Sequence, residues 1–438
     1  MQLGNMMKKI LYYCLGLGAS TPLLALVLGG CVISLVTVCV IFVFIDQFTS
    51  HKFSFNASHL KTEYARNFMK FMYISLASCV FGFIYFIFIN TDFAYSSISF
   101  VPKILIYLVL FCAVAHDPRG EMKMKFVFEG AKLGIFINLL WAIVDAFLFY
   151  TSGYSLTNSV FVDYITAMDY PFGQLSTIET VYYRSAGLNN DQSSIGTYAI
   201  TAVIYSFLTN KRWLSIIGVL ATMATVSFIG IVGVAAAFFW QLFLRKDVKH
   251  RVLASVVIIL TLIVGGIVIT TSDSVFVMGM RAGIEARYES KSDGDHSSEL
   301  RTTLIKKFPA CVASTPTALF IGTGYNSAVY PYYHEGVSYM NYSIKNPKPT
   351  AVENTFVEYF FDLGLFGFLS FFLMFYQLMK RSLQNFYIRQ DNFDIYVFAY
   401  LFGALFSYLF YHNILYSLDM LVFIASILYL KNYSLVSK

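Results

Sequence analysis

Apolar runs of about 17 to 22 residues recur from one end of this chain to the other, each long enough to cross roughly 30 Å of hydrocarbon as a helix. Lipid offers no hydrogen-bond partners, so a spanning segment must satisfy its own backbone, and only helices and closed barrels do so. A barrel would alternate apolar and polar residues over segments of about ten, and no such alternation occurs here. With 57% hydrophobic and 13% charged residues, against about 25% charged in an average soluble domain, the chain reads as an all-α polytopic membrane protein. Its net charge of +6 does not imply nucleic acid, because most of the basic residues have a topological explanation.

The runs place about twelve transmembrane helices, at 10–28, 31–46, 70–90, 98–116, 133–152, 192–209, 213–228, 230–244, 252–270, 361–379, 395–412 and 414–430. Basic residues flank alternate connections, among them Lys8 and Lys9, Arg119 and Lys123, Lys211 and Arg212, and Lys380 and Arg381. By the positive-inside rule these face the cytoplasm, together with both termini. Met7-Lys8-Lys9 before an apolar run imitates a secretory signal, but the run continues past Gly29-Gly30 to Ile45 without a cleavage site, which predicts two retained spans. Residues 1–438 are expected to form one integral membrane domain, with two long loops on the outer side at 153–191 and 271–353. Five of the six cysteines fall in expected spans and Cys311 in the larger loop, so no disulfide framework is available.

Long loops escape the positive-inside rule, so their charge is free for another purpose. Arg184, Arg281, Arg287 and Arg301 all fall in the two outer loops, and a guanidinium presents paired donors that suit a pyrophosphate. The bland alternative is pairing with Glu285, Glu289 or Glu299, and Arg287 has the readiest acidic neighbours. Within 297–314, Leu300, Leu304, Ile305, Phe308, Cys311 and Val312 recur at helical spacing. This predicts a helix on the outer membrane surface, kinked by Pro309 and stopped at Thr315-Pro316, with a tight turn at Ile321–Asn326.

Farther on, Glu353, Glu358 and Asp362 stand at a span entrance, where a carboxylate is costly unless paired or functional. Glu353 and Glu358 are offset by about 140° on a helix and cannot face each other; the alternative for Glu358 and Asp362 is simple complementarity to the helix dipole. Tyr325, Tyr330, Tyr332, Tyr333, Tyr339 and Tyr342 crowd near Asn326 and Glu335, which suits a glycan groove, although interfacial tyrosine belts have the same composition. Asp293-Gly294-Asp295 imitates a metal-holding motif, but three residues match often by chance, and no metal is expected. Asp145 is the main charged exception within the expected span interiors.

Four pieces come in order: Arg184-Ser-Ala-Gly187-Leu-Asn189-Asn190 before a span; Ser227-Phe-Ile-Gly230; Leu300-Arg301 with Leu319-Phe320-Ile-Gly322-Thr-Gly324; and Glu353-Asn354 followed by Asp362-Leu363-Gly364-Leu365-Phe366-Gly367. Together they resemble the O-antigen polymerase and O-antigen ligase superfamily of bacterial envelope glycosyltransferases. The resemblance implies an inverting transfer between two lipid-linked substrates at the periplasmic face of the inner membrane, without metal, nucleotide or other cofactor. In the ligase branch a histidine typically precedes the asparagine of the last motif; Glu353 stands there, which favours the polymerase branch.

On that resemblance Arg184, Arg281 and Arg301 hold the undecaprenyl pyrophosphate of the growing chain, and Glu353 orients or deprotonates the acceptor hydroxyl. Arg287, Asn189, Asn354, Glu358, Tyr325 and Tyr333 are the further substrate-binding expectations. The partners implied are undecaprenyl-pyrophosphate-linked repeat units, membrane lipid and a chain-length regulator. An O-antigen ligase and a non-enzymatic flippase for lipid-linked oligosaccharides stand behind the polymerase; the flippase would prefer charge along a cavity within the spans.

Overall fold

The computed structural model describes residues 2–28, 31–50, 62–117, 119–161, 185–189, 192–225, 227–244, 271, 278, 281, 296–337, 348–349, 352, 354–389, 391–410 and 417–436. Its helices there are α1 (Gln2–Ser20), α2 (Leu35–Ser50), α3 (Glu63–Phe86), α4 (Thr91–Ser99), α5 (Val101–His116), α6 (Gly120–Ser152), α7 (Leu156–Val160) and α8 (Gln192–Thr209). They continue as α9 (Arg212–Thr225), α10 (Phe228–Leu244), α11 (His296–Ser314), α12 (Thr317–Phe320), α13 (Tyr330–His334), α14 (Thr355–Arg389), α15 (Asn392–Phe410) and α16 (Ser417–Val436). Five stretches are long and apolar enough to cross a membrane: Glu63–Phe86, Thr91–Ala115, Met122–Ser152, Thr355–Ile388 and Asn392–Leu409. Shorter apolar helices occupy most of the other expected spans, and the expected span 252–270 lies outside the described residues.

The first expected span, 10–28, is not one helix. α1 stops at Ser20 because Pro22 cannot continue a helix and disfavours helical backbone at the residue before it. The Ser20 and Thr21 hydroxyls turn back onto the Leu17 carbonyl at 2.9 and 2.7 Å. The chain then forms a short antiparallel hairpin, β1 (Ala25–Leu28) with β2 (Cys31–Ser34), in register Ala25↔Ser34 to Leu28↔Cys31. Its Val, Ile and Leu residues suit a strand as readily as a span.

α1 packs parallel to α6 along a seam of small residues: Gly16 lies against the backbone of Val127 and Ala131, and Gly130 against that of Tyr13. Such contacts let membrane helices approach closely. At one end of this pair Lys8 meets Asp46 at 2.5 Å, while Lys123 meets Asp46 at 2.9 Å and Asp117 at 2.6 Å. α3 runs antiparallel to α14, with Asn67 donating to Gln377 at 3.2 Å near one end and Ser78 to the Asp362 carbonyl at 2.6 Å near the other. α8 is enclosed by α9, α10 and α15, with Gly218 against Ala199 and Gly403 against Thr197.

α11 covers residues expected to be helical, and it ends at Thr315-Pro316 as the proline requires. Its apolar face, however, is spent on the protein: Leu304, Phe308 and Cys311 join Tyr332, Phe360 and Phe361 in a second core. Ile305, which the spacing places on the apolar stripe, is 67% exposed. Burial pushes the Cys311 thiol up to about 12, so this cysteine is an inert packing residue.

Candidate functional site

α14 is broken. Gly364 has φ 69° and ψ −179°, a conformation open essentially to glycine alone, and the break withdraws the helical donors from the carbonyls just before it. Those carbonyls find partners elsewhere, as buried backbone groups must. The Phe361 carbonyl accepts from the Thr323 N–H at 2.7 Å and from its hydroxyl at 3.1 Å, and Ser78 Oγ donates to the Asp362 carbonyl.

The loop 321–329 docks on this break. The Asp362 carboxylate accepts from the backbone N–H groups of Asn326 at 2.7 Å and Ser327 at 2.9 Å. Gly322 and Gly364 face each other's chain so closely that a Cβ on either would strike backbone, Asp362 for Gly322 and Phe320 for Gly364. α4 supports the loop from behind, with Ser97 donating to the Tyr325 carbonyl at 2.8 Å and Asn326 Nδ2 to Ser96 Oγ at 2.5 Å. One helical turn before Asp362, Glu358 is 2% exposed, and its Oε1 has no hydrogen-bond partner among the described residues. Burying an unsatisfied carboxylate oxygen is expensive, which marks Glu358 for attention.

A second anchored segment, 185–189, lies between α1, α6 and α8. Asp145 of α6 accepts from Ser185 Oγ at 2.6 Å, Thr157 Oγ1 at 3.0 Å and the Thr157 N–H at 3.0 Å. Asn138 of the same helix accepts from the Leu188 N–H at 2.6 Å and from Asn189 Nδ2 at 3.1 Å, and donates to the Ser20 carbonyl. Ser185, directly after Arg184 in sequence, is fully buried.

The expected site residues divide sharply against this geometry. Arg184, Arg287 and Glu353 lie outside the described residues, as does Asp293-Gly294-Asp295. Arg301 stands in the first half of α11, and Arg281 is half-buried in a helical position of the larger loop. Asn189 is buried with its amide spent on Asn138 and Tyr198. Asn354 caps α14, accepting from the Val357 N–H at 3.1 Å, and donates to the Leu409 carbonyl of α15 at 3.0 Å.

Tyr325 and Tyr333 do not offer ring faces to a sugar in this structure. Tyr325 is fully buried against Phe100, its hydroxyl 3.3 Å from that of Tyr359. Burial, with Tyr359 and the nearby carboxylates, drives its phenol well above the ordinary range, so it stays neutral. Tyr333 is 4% exposed and donates to the Lys348 carbonyl at 3.4 Å. Their aromatic crowding is loop packing.

Asp419, at the start of α16, is a buried acid outside the expected site residues; it accepts from Tyr400 Oη at 2.6 Å. Its position inside the apolar run 414–430 was the available signal. The span interiors therefore carry more acid than Asp145 alone.

Residues 212–372 match the O-antigen ligase family model. No curated protein matches the chain. The O-antigen ligase match supports the ligase and polymerase superfamily, and with it a transferase role in surface-polysaccharide synthesis on lipid-linked substrates in a membrane. Polymerase and ligase are not distinguished by it.

Proposed function

We propose that the protein is an O-antigen polymerase of the inner membrane, working at the periplasmic face with both termini in the cytoplasm. It transfers the growing glycan from undecaprenyl pyrophosphate onto the non-reducing-end sugar of another lipid-linked repeat unit. The observation that carries this reading over the ligase is Glu353 directly before Asn354, the residue that caps α14; the ligase branch typically has a histidine there.

In the proposed reaction the acceptor hydroxyl oxygen attacks the anomeric carbon of the donor glycan and inverts it. The bond from that carbon to the pyrophosphate oxygen breaks, and undecaprenyl pyrophosphate leaves with the electron pair. Glu353 takes the hydroxyl proton, a role for which a carboxylate within reach of the nucleophile is suited. Arg184 and Arg301, with Arg281 and Arg287, bind the pyrophosphate and stabilise its charge as it departs. Asn354 and Glu358 line the acceptor side, and Asn189 and the tyrosines act through the shape of the loops. No metal or cofactor takes part in this scheme, and a separate chain-length regulator sets the polymer length.

The test is the glycolipid pattern of a deletion strain on a gel. Loss of the repeat-unit ladder supports the polymerase; polymer accumulating on undecaprenyl pyrophosphate instead supports the ligase. Units trapped on the cytoplasmic side would make the protein a flippase. Complementation with Arg184→Ala, Arg301→Ala or Glu353→Gln at normal membrane abundance is expected to leave the ladder missing. Ladders of normal length from all three would sink the assignment of these residues.

A further inference from the structure

A cleft of about 280 Å³ opens among α1, α6, α8, α9 and α15, and none of its lining residues belongs to the docked loop. Its walls are apolar, with Leu133, Phe136 and Leu139 of α6 facing Ala202 of α8 and Leu214 of α9. Its polar residues include Lys132 and Lys211, with Trp213 beside them. Lys211 stands at the turn between α8 and α9, so this end of the cleft lies where two apolar helices stop. The Trp213 ring is half-exposed and meets Phe136 edge-on at 5.4 Å between centroids. Lysine beside tryptophan at the end of apolar helices is the composition of a lipid headgroup zone.

Two further observations point to an occupant. Tyr396 of α15 lines the cleft at 4% exposure, and its hydroxyl has no hydrogen-bond partner among the described residues. A buried hydroxyl without a partner is costly, and an acceptor delivered into the cleft would satisfy it. Charge selects the kind of molecule: Lys132 and Lys211 are opposed in the lining only by Glu129, which pairs with Lys132 at 2.6 Å in an exposed i,i+3 contact. Such pairs are weak, so Lys132 can exchange its partner for a phosphate. Basic pockets between membrane helices suit anionic headgroups, while the apolar walls would be wasted on a free anion.

We propose that this cleft binds an anionic glycerophospholipid, whether or not the protein is a polymerase. The phosphate lies at Lys132 and Lys211, an acyl chain lies along Leu133, Phe136 and Leu139, and Tyr396 donates to an ester carbonyl.

Native mass spectrometry of the full-length detergent-purified protein, titrated with phosphatidylglycerol or phosphatidylcholine of the same acyl chains, tests this. Each lysine near a headgroup phosphate is worth a factor of about five, so phosphatidylglycerol should be retained at least about fivefold more tightly. Lys132→Gln with Lys211→Gln should abolish that preference, and Leu133→Trp, which narrows the cleft, should weaken both lipids while thermal unfolding stays cooperative. Equal retention of the two lipids by the unaltered protein overturns the proposal. So does a preference that survives the double lysine substitution, or displacement of phosphatidylglycerol by a polyprenyl phosphate at equal concentration. If Leu133→Trp fails to fold, the lysine variants alone decide.

Discussion

Two buried aspartates each fix a segment of one of the long loops, and they do it in opposite ways. Asp145 holds 185–189 and α7 largely through side chains, the hydroxyls of Ser185 and Thr157. Asp362 holds 321–329 through backbone N–H groups of Asn326 and Ser327, at a break in its own helix. The first anchor depends on which residues its partners are. The second depends on where the backbone goes, and tolerates changes of partner side chain as long as the two glycines let the chains meet.

The most damaging way to break the second anchor is therefore Gly364→Val. It places a side chain in a glycine-only conformation and against the Phe320 carbonyl, at a cost of about 3 kcal/mol or more; a fall in membrane abundance and in the unfolding temperature in detergent would register it. Asp362→Ala strands the buried Ser327 N–H and the part-buried Asn326 N–H and should cost about 3 kcal/mol, read the same way. At the first anchor, Ser185→Ala removes one charge-assisted bond of several, an expected loss of about 2 kcal/mol, and Ser185→Thr should recover part of it. The smallest effect is expected at Asn326, whose φ of 60° suits glycine as well as asparagine. Asn326→Gly should stay within about 1 kcal/mol of the unaltered protein. A large loss there, or none at Ser185, would erase the distinction between the anchors.

That distinction also explains what could be read from the chain alone. α8 occupies the expected span 192–209, because a long apolar run has few ways to satisfy its backbone in lipid. The hairpin after Pro22 was harder, since Val, Ile and Leu serve strands and spans alike. Asp145 was legible as an exception in an apolar run, and Glu358 and Asp362 as costly acids. The partners of Asp362 were not, because a backbone N–H leaves no mark in a sequence. Tyr325 and Tyr333 read as a sugar platform for a related reason: aromatic spacing in a loop does not say which faces are buried. Asp419 shows the same blindness, with its partner Tyr400 on another helix.

The pairing of α1 with α6 carries a consequence in time. Gly16 lies against Val127 and Ala131, so α1 meets its main neighbour only after more than a hundred further residues have been translated. At ribosomal speeds of about 5–20 residues per second, that wait is on the order of ten seconds. Lys123 arrives with the same helix, long after Asp46, whose ion pair with Lys8 needs no such wait. The packing of α1 is completed by a helix translated long after it.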